Sequence, residues 1–340
     1  MNAQETKIQT VQTAVPRKLV RGRHFLSCQQ EGMVFLSVVL AFLCLALADP
    51  EVRSLLAYYV SNFWRNYLEN ASRGWVCNSG FYAALGIAIF FEMVIPAKKD
   101  QKIVSVAFLH DGLWTLLSIS LSVFLLPICI AVCHSLCHHL SIAITPIEKL
   151  PQAARWVLAF LIGDFLAYAA HVWRHKSRVL WQFHSVHHSQ TDLNFFSESR
   201  RHPIDQLVVY LRLWLPFVFF HLPLEAITAT YVLRRWHERL YHSNIKTNLG
   251  LLRYFIVTPQ SHRIHHSIQL RHQDKNFGET LSIWDHLFGT QCKNYDEYPP
   301  TGIQDLQFPI EQDQPTRGLR AHLSLLWRQL IYPVKVILRS

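Results

Sequence analysis

Charge is scarce in this chain. Only 16% of its 340 residues are charged, whereas half are hydrophobic. Acidic residues are the scarcer sign, leaving a formal charge of +10. That excess suits a face lying against anionic lipid or one that docks an acidic partner. Nucleic acid is excluded as the partner, because the basic residues flank apolar runs instead of interleaving with polar and aromatic ones. Cysteine is present seven times, an odd number with no secreted framework, so disulfides are not expected. Internal repeats and low-complexity tracts are absent. What is present is a set of apolar runs approaching the ~20 residues that a membrane-spanning helix requires, in a length sufficient for one large domain or two small ones.

The chain divides into four parts by composition. Residues 1–32 are polar and basic, with Arg17, Lys18, Arg21 and Arg23 before the first apolar run at 33–48. That run ends in Ala46-Leu47-Ala48, which resembles a signal-peptidase site, but basic residues before an apolar run also fit an uncleaved anchor, the favoured reading. Residues 33–150 form an N-terminal transmembrane region, with an aromatic-rich loop at 49–78. A second span at 81–96 is followed by Lys98, Lys99 and Lys102 on the cytoplasmic side, and a third at 103–133 is long enough to tilt or to break at Pro127. Glu92 is read as structural. Asp111, near the cytoplasmic start of its span, needs no buried partner. Residues 134–155 make an extracytoplasmic loop, and a fourth span at 155–172 returns the chain to the cytoplasmic face. Residues 151–292 hold the chemistry. The apolar stretch 204–233 within them, interrupted by His221-Leu222-Pro223, is expected to be a helical hairpin that leaves and re-enters on one side. Residues 293–340 form a tail whose stretch 323–337 looks like an amphipathic helix on the membrane surface. The fold class expected is an all-α, polytopic membrane protein with a cytosolic histidine-rich cap.

Twenty histidines stand in the chain. His171 and His175 are spaced i, i+4. His184, His187 and His188, then His262, His265 and His266, repeat an HxxHH pattern on one helical face. Three imidazoles on one face repel one another if charged and gain little if neutral, so two copies beside an HxxxH pair call for metal. Eight such rings imply two ions, or one ion with spare histidines. Imidazole alone does not choose among zinc, copper, iron and nickel; iron is favoured by the need to activate O₂ near a lipid. His24, His110, His272, His286 and His322 read as surface or hydrogen-bonded core residues. Cys129, Cys133 and Cys137, near His134, His138 and His139, could form a soft metal site, but a helix face of apolar thiols is the favoured reading. Asp164, Tyr168, His171 and His175 share one helical stripe, so Asp164 could orient a ligating imidazole or could pair with a neighbouring helix. Arg174 and Arg178 are assigned to phosphate headgroups.

These residues resemble the fatty acid hydroxylase and sterol desaturase superfamily of membrane di-iron oxygenases. The likeness covers roughly residues 155–292. It rests on Asp164-x3-Tyr168-x2-His171-x3-His175, His184-Ser-Val-His187-His188, Arg200-Arg-His202-Pro203 and His242-Ser-Asn244. It continues through Pro259-x2-His262-Arg263-Ile264-His265-His266, Asn276-Phe277-Gly278, Trp284-Asp285 and Phe288-Gly289-Thr290. The short gap between the first two boxes resembles this family more than the acyl-CoA desaturases or alkane hydroxylases. The resemblance implies O₂-dependent hydroxylation or desaturation of a lipid, whether sterol, fatty acyl chain, sphingolipid or carotenoid. It implies two iron ions (zinc in a purified form), O₂ as co-substrate and electrons from NAD(P)H. These arrive through a separate cytochrome b-type or ferredoxin-type carrier and its reductase, since no fused carrier domain is recognisable. By motif position it carries over His171, His175, His184, His187, His188, His242, His262, His265 and His266 as metal ligands, with no catalytic residue beyond them. Asp164, Tyr168, His202, His237 and Asn244 are candidates to support the ligands. Val172 stands where the family often has arginine. The location implied is a multi-pass protein of a bacterial inner membrane or endoplasmic reticulum, with the histidines on the cytoplasmic face.

Two rival classes are weighed against this. A zinc-dependent membrane hydrolase needs a carboxylate general base, and neither HxxHH carries the HExxH glutamate. A metal transporter or sensor needs ionisable residues along its spans, whereas these histidines gather at one end.

Overall fold

The computed structural model describes residues 27–50, 52–54, 57, 79–139, 149–219, 224–311 and 318–339. Among these the regular structure is helical: α1 (Cys28–Ala48), α2 (Ser79–Val94), α3 (Val106–His139), α4 (Gln152–Lys176), α5 (Arg178–His188), α6 (Pro203–Phe219), α7 (Leu224–His242), α8 (Pro259–His265), α9 (Ile283–Leu287) and α10 (Leu319–Arg339). Strands are reduced to isolated bridges, one of them tying Pro96 to Ile245. The basic segment with His24, most of the aromatic loop at 49–78 and the His221-Leu222-Pro223 interruption lie outside the described residues.

Apolar composition explains α1 to α3, and each matches an expected run. Helix α3 continues through Pro127 to His139, beyond the expected end near Cys133. It carries Cys129, which is buried, together with Cys133 and Cys137. Among the described residues α4 alone is long and apolar enough to cross a membrane; Tyr82–Val94 and Val106–Ser122 are shorter apolar stretches.

The link between α4 and α5 decides the site. Ser177 leaves the helical region at φ −75° and ψ 125°, which stops α4. Its hydroxyl then accepts the Leu180 N–H and caps α5. A single residue thus folds the segment 171–188 into two helices that face each other. Helix α6 packs against α3 and α4, and α7 against α8. The start of α6 and the end of α7 meet at an Arg201 Nη2–Glu238 Oε2 ion pair of 3.0 Å, so the two ends of this stretch lie side by side.

At the periphery the structure adds packing to one expectation and overturns another. Helix α10 packs on the domain along one side, where Leu325, Gln329, Pro333 and Ile337 are buried, and exposes Leu323 and Trp327 on another. Ile337 joins Val179 and Phe183 of α5 with Phe35 of α1, while Leu326 and Leu330 pack with Trp114, Val186 and Phe308. Asp111 is fully buried and has partners: Arg200 Nε at 2.6 Å, Asn194 Nδ2 at 2.7 Å and Ser197 Oγ at 2.9 Å. Arg200 also pairs with Glu311. An unpaired buried carboxylate is costly, and the long α3 carries Asp111 into the interior, where only paired charge is tolerated. Glu92 is likewise structural, accepting the Asn244 N–H at 2.9 Å.

Candidate metal centre

Nine histidines converge on two adjacent groups. His171, His175, His184, His188 and His265 form the first, and His187, His242, His262 and His266 the second; within each group one ring nitrogen per residue lies within 4.8 Å of all the others. Each HxxHH triplet is divided. On α5, His184 and His188 face the first group and His187 the second. On the α8 side, His262 and His266 face the second group and His265 the first. The rings of His188 and His266 stack at 4.4 Å between them.

Tautomers follow from the hydrogen bonds. A backbone carbonyl can only accept, so an Nδ1 that meets one must carry the proton. This holds for His171 on Phe277 O (2.8 Å), His187 on Arg200 O (3.2 Å), His242 on Glu238 O (2.7 Å) and His265 on Lys275 O (2.9 Å). In the neutral ring the lone pair is then at Nε2. The Nε2 atoms of His187 and His242 nonetheless lie 3.2 Å apart. Two lone pairs at that distance form no hydrogen bond and repel. The Nε2 atoms of His171 and His265 are buried without a hydrogen-bond partner. A cation removes both problems at once, so the donor set fits metal.

Burial favours the neutral, ligating form. It lowers the pKa of His184, His187, His188, His262 and His266 below the ordinary histidine value. Neighbouring imidazoles add to the lowering at His187, His188, His262 and His266. His242 is lowered to about 4 and His265 to about 3, again first by burial.

The supporting residues differ from those read off the sequence. Asp164 touches no imidazole. It accepts from Arg234 Nη2 (2.7 Å), Leu281 N (3.0 Å) and Trp284 Nε1 (2.9 Å), because its turn of α4 faces α7 and the 281–284 segment. Asp205 takes the orienting place, 3.2 Å from His184 Nδ1. Its only sequence signal is an acid in the first turn of α6, a position that usually serves the helix itself. Arg174 meets no headgroup: it is buried between Asp205 (3.2 Å) and Glu279 (2.8 Å), and Glu279 also pairs with Arg212. Tyr168 bonds Thr290 Oγ1 at 3.0 Å. His237 Nε2 meets Val257 O at 2.9 Å, and His202 Nε2 meets Leu330 O at 3.1 Å, so neither joins a group. Asn244 exchanges bonds with the Lys98 backbone at 2.9 and 3.0 Å, tying the end of α2 to the histidine region.

The Asn-Phe-Gly motif acquires a role here. Asp285 accepts the N–H groups of Phe277 and Gly278 at 2.7 Å each. That holds the 275–277 carbonyls against His171 and His265. A Cβ on Gly278 would sit 2.8 Å from both Asp285 Oδ2 and Leu281 O, so the close approach demands glycine. Helix α8 is only one to two turns long. It is fixed by the reciprocal cap of Thr258 and Ser261 and by Pro259 at its first turn.

Fold and site together define a class: helical proteins in which two buried polyhistidine groups, shared between two short helices, stand beside an apolar helix. The comparisons carry this further. The fatty acid hydroxylase family model matches residues 156–290, the stretch that holds every histidine of the two groups. The ornithine lipid hydroxylase of Rhizobium tropici is 34% identical over 42% of this chain and 43% of its own length. The alkylglycerol monooxygenase of Homo sapiens is 30% identical over 51% of this chain and 37% of its own, and that of Xenopus tropicalis 29% over 51% and 37%. The chain thus covers less than half the length of each of these relatives. No solved structure gives a significant match.

Proposed function

We propose that the chain is a membrane-embedded lipid oxygenase that holds two iron ions in the paired histidine groups and hydroxylates or desaturates a lipid. The observation that carries this reading is the pair of Nε2 lone pairs of His187 and His242 facing each other at 3.2 Å inside a buried all-imidazole set. The names of the relatives, hydroxylases and monooxygenases of ornithine lipid and alkylglycerol, support a lipid with a polar head as substrate.

When bound, the irons would supply reduction of O₂ with two electrons and attack on a C–H bond. The protein's own residues do the rest. The carbonyls of Phe277, Lys275, Arg200 and Glu238 keep Nδ1 protonated and turn each Nε2 inward. Asp205 does the same for His184 and is held by Arg174. Phe277 lies against His171, His175 and His265, with ring centroids 5.7, 5.0 and 5.7 Å away, and presents an apolar wall that limits water there. Electrons would arrive from NAD(P)H by way of a separate carrier and reductase. Residues 151–292 would be the catalytic domain of a polytopic protein anchored by residues 33–150, with its histidines on the cytoplasmic face.

A hydrolase reading gains no support among the described residues, since neither group includes a carboxylate. His187→Ala is expected to lower bound iron and abolish lipid oxidation in cells. Lipid mass spectrometry should then show loss of the product 16 mass units heavier, or 2 lighter, than the substrate. Unchanged oxidation and metal content would overturn the reading.

A further inference from the structure

An exposed apolar patch stands on the domain where the function just proposed makes no use of it. Leu251 (78% exposed), Leu252 and Phe255 (61%) lie on the turn at 250–256, and Leu287 (71%) and Phe288 (57%) on and after α9. The two segments are joined. Ser282 N–H donates to Phe255 O at 3.0 Å and Ser282 Oγ to Arg253 O at 2.8 Å. The turn projects its leucines because Leu249 and Gly250 both adopt left-handed backbone, at φ 54° and 57°. Water-facing turns are ordinarily polar. Five large apolar side chains at one tip mark a surface that meets something apolar.

Its place along α4 says what that is. Phe288 and Trp284 pack on Phe165, at centroid distances of 6.0 and 5.3 Å. Phe165 precedes His171 by six residues, about 9 Å along the axis at 1.5 Å per residue. It belongs to the exposed apolar side of α4 with Ile162 and Leu158, and α4 is, among the described residues, the helix long and apolar enough to span a bilayer. The patch therefore continues the exposed apolar surface of α4, below the level of the imidazoles. Arg253 lies at its rim with its guanidinium 4.3 Å from the Tyr295 ring, as a snorkelling side chain would. An aromatic series also leads inward from it: Phe288 stacks on Tyr168 at 5.5 Å, Tyr168 meets Phe277 at 6.4 Å, and Phe277 touches the first histidine group.

We propose that the 250–256 turn and α9 are immersed in the leaflet that α4 enters, and that their occupant is the acyl region of membrane lipid. The proposal rests on the membrane reading of α4 and not on the oxidation chemistry. A photo-crosslinking residue, p-benzoylphenylalanine, placed singly at Leu252 or Leu287 tests it. The control is Gln273, next to Asp274, which pairs with Lys176 at the far end of α4. The full chain is reconstituted in phosphatidylcholine–phosphatidylglycerol vesicles, illuminated and weighed by intact mass. Lipid adducts at 252 and 287 are expected to exceed those at 273 by tenfold or more. Equal labelling at all three positions, or protein–protein adducts at 252 and 287 in place of lipid, would overturn it. The readout needs neither iron nor turnover, so it stands or falls apart from the proposed reaction.

Discussion

The two histidine groups are built from one residue type and share α5 and the α8 segment, yet they are supported differently. The first draws His171 and His175 from α4, and one of its rings, His184, is backed by a carboxylate that belongs to an ion-pair chain of Asp205, Arg174, Glu279 and Arg212. The second has no carboxylate behind any ring. His187 and His242 rest on carbonyls, while the Nδ1 atoms of His262 and His266 have no hydrogen-bond partner. A carboxylate makes its imidazole more basic and a stronger donor to metal than a carbonyl does. The first group is accordingly the one in which buried charge stands behind a ring. The second is held chiefly by backbone geometry.

The largest effect should come from removing one ring from each group. His188→Ala and His242→Ala are each expected to abolish lipid oxidation and to reduce iron from two ions per chain to about one, read by metal analysis of purified protein. Equal metal content in both variants and the parent would break the comparison. Next, Asp205→Asn should weaken metal binding at the first group alone, by about 10- to 100-fold. A chelator titration should then resolve into one unchanged and one weakened step; two equally weakened steps would show that the groups do not act separately.

A smaller effect sharpens the contrast between ligand-like rings and a satisfied core histidine. His202 donates from Nε2 to Leu330 O, and its Nδ1 accepts the Ile204 N–H at 3.1 Å. Both nitrogens are used, and only the neutral ring can do this. Burial lowers its pKa to about 4. Between the ordinary value of about 6.5 and 4, the unfolded chain binds a proton that the folded chain refuses. Stability therefore falls as pH drops through that window. His202→Gln in metal-free protein should flatten the decline by at most about 1.4 kcal/mol per pH unit. This can be followed by denaturant unfolding at pH 7 and pH 5, and an unchanged slope would show that His202 is not the titrating group.

The histidine spacing made the ligand candidates and the α-helical class readable, because i, i+3 and i+4 positions on a helix are neighbours whatever surrounds them. It did not reveal that each triplet is shared between two groups. That depends on how α5 and α8 are brought together in space, which the spacing within either helix does not encode. The stripe from Asp164 to His175 was also correctly placed on one helix, but its carboxylate serves Arg234. One helical face can meet different neighbours a turn or two apart. Asp205 carried no periodic signal, since it reaches His184 through the packing of α6 against α4 and α5 and not through spacing. Arg174 reads as a headgroup contact because a basic residue at the end of an apolar run usually is one; two carboxylates from distant segments, Asp205 and Glu279, hold it instead. The C-terminal helix reads as amphipathic, but the pattern could not say that part of its apolar side meets α1 and α5.

What the sequence determined by itself was local: apolar runs long enough for helices, paired HxxHH boxes, and the glycine and acid of Asn276-Phe277-Gly278 and Asp285. Tertiary structure alone decided which imidazoles share a group, which nitrogen of each ring points inward, and which acids stand behind them. Those are questions of direction and distance between segments far apart in the chain. They are settled by carbonyls, carboxylates and ring edges at hydrogen-bonding distance, which no one-dimensional period encodes.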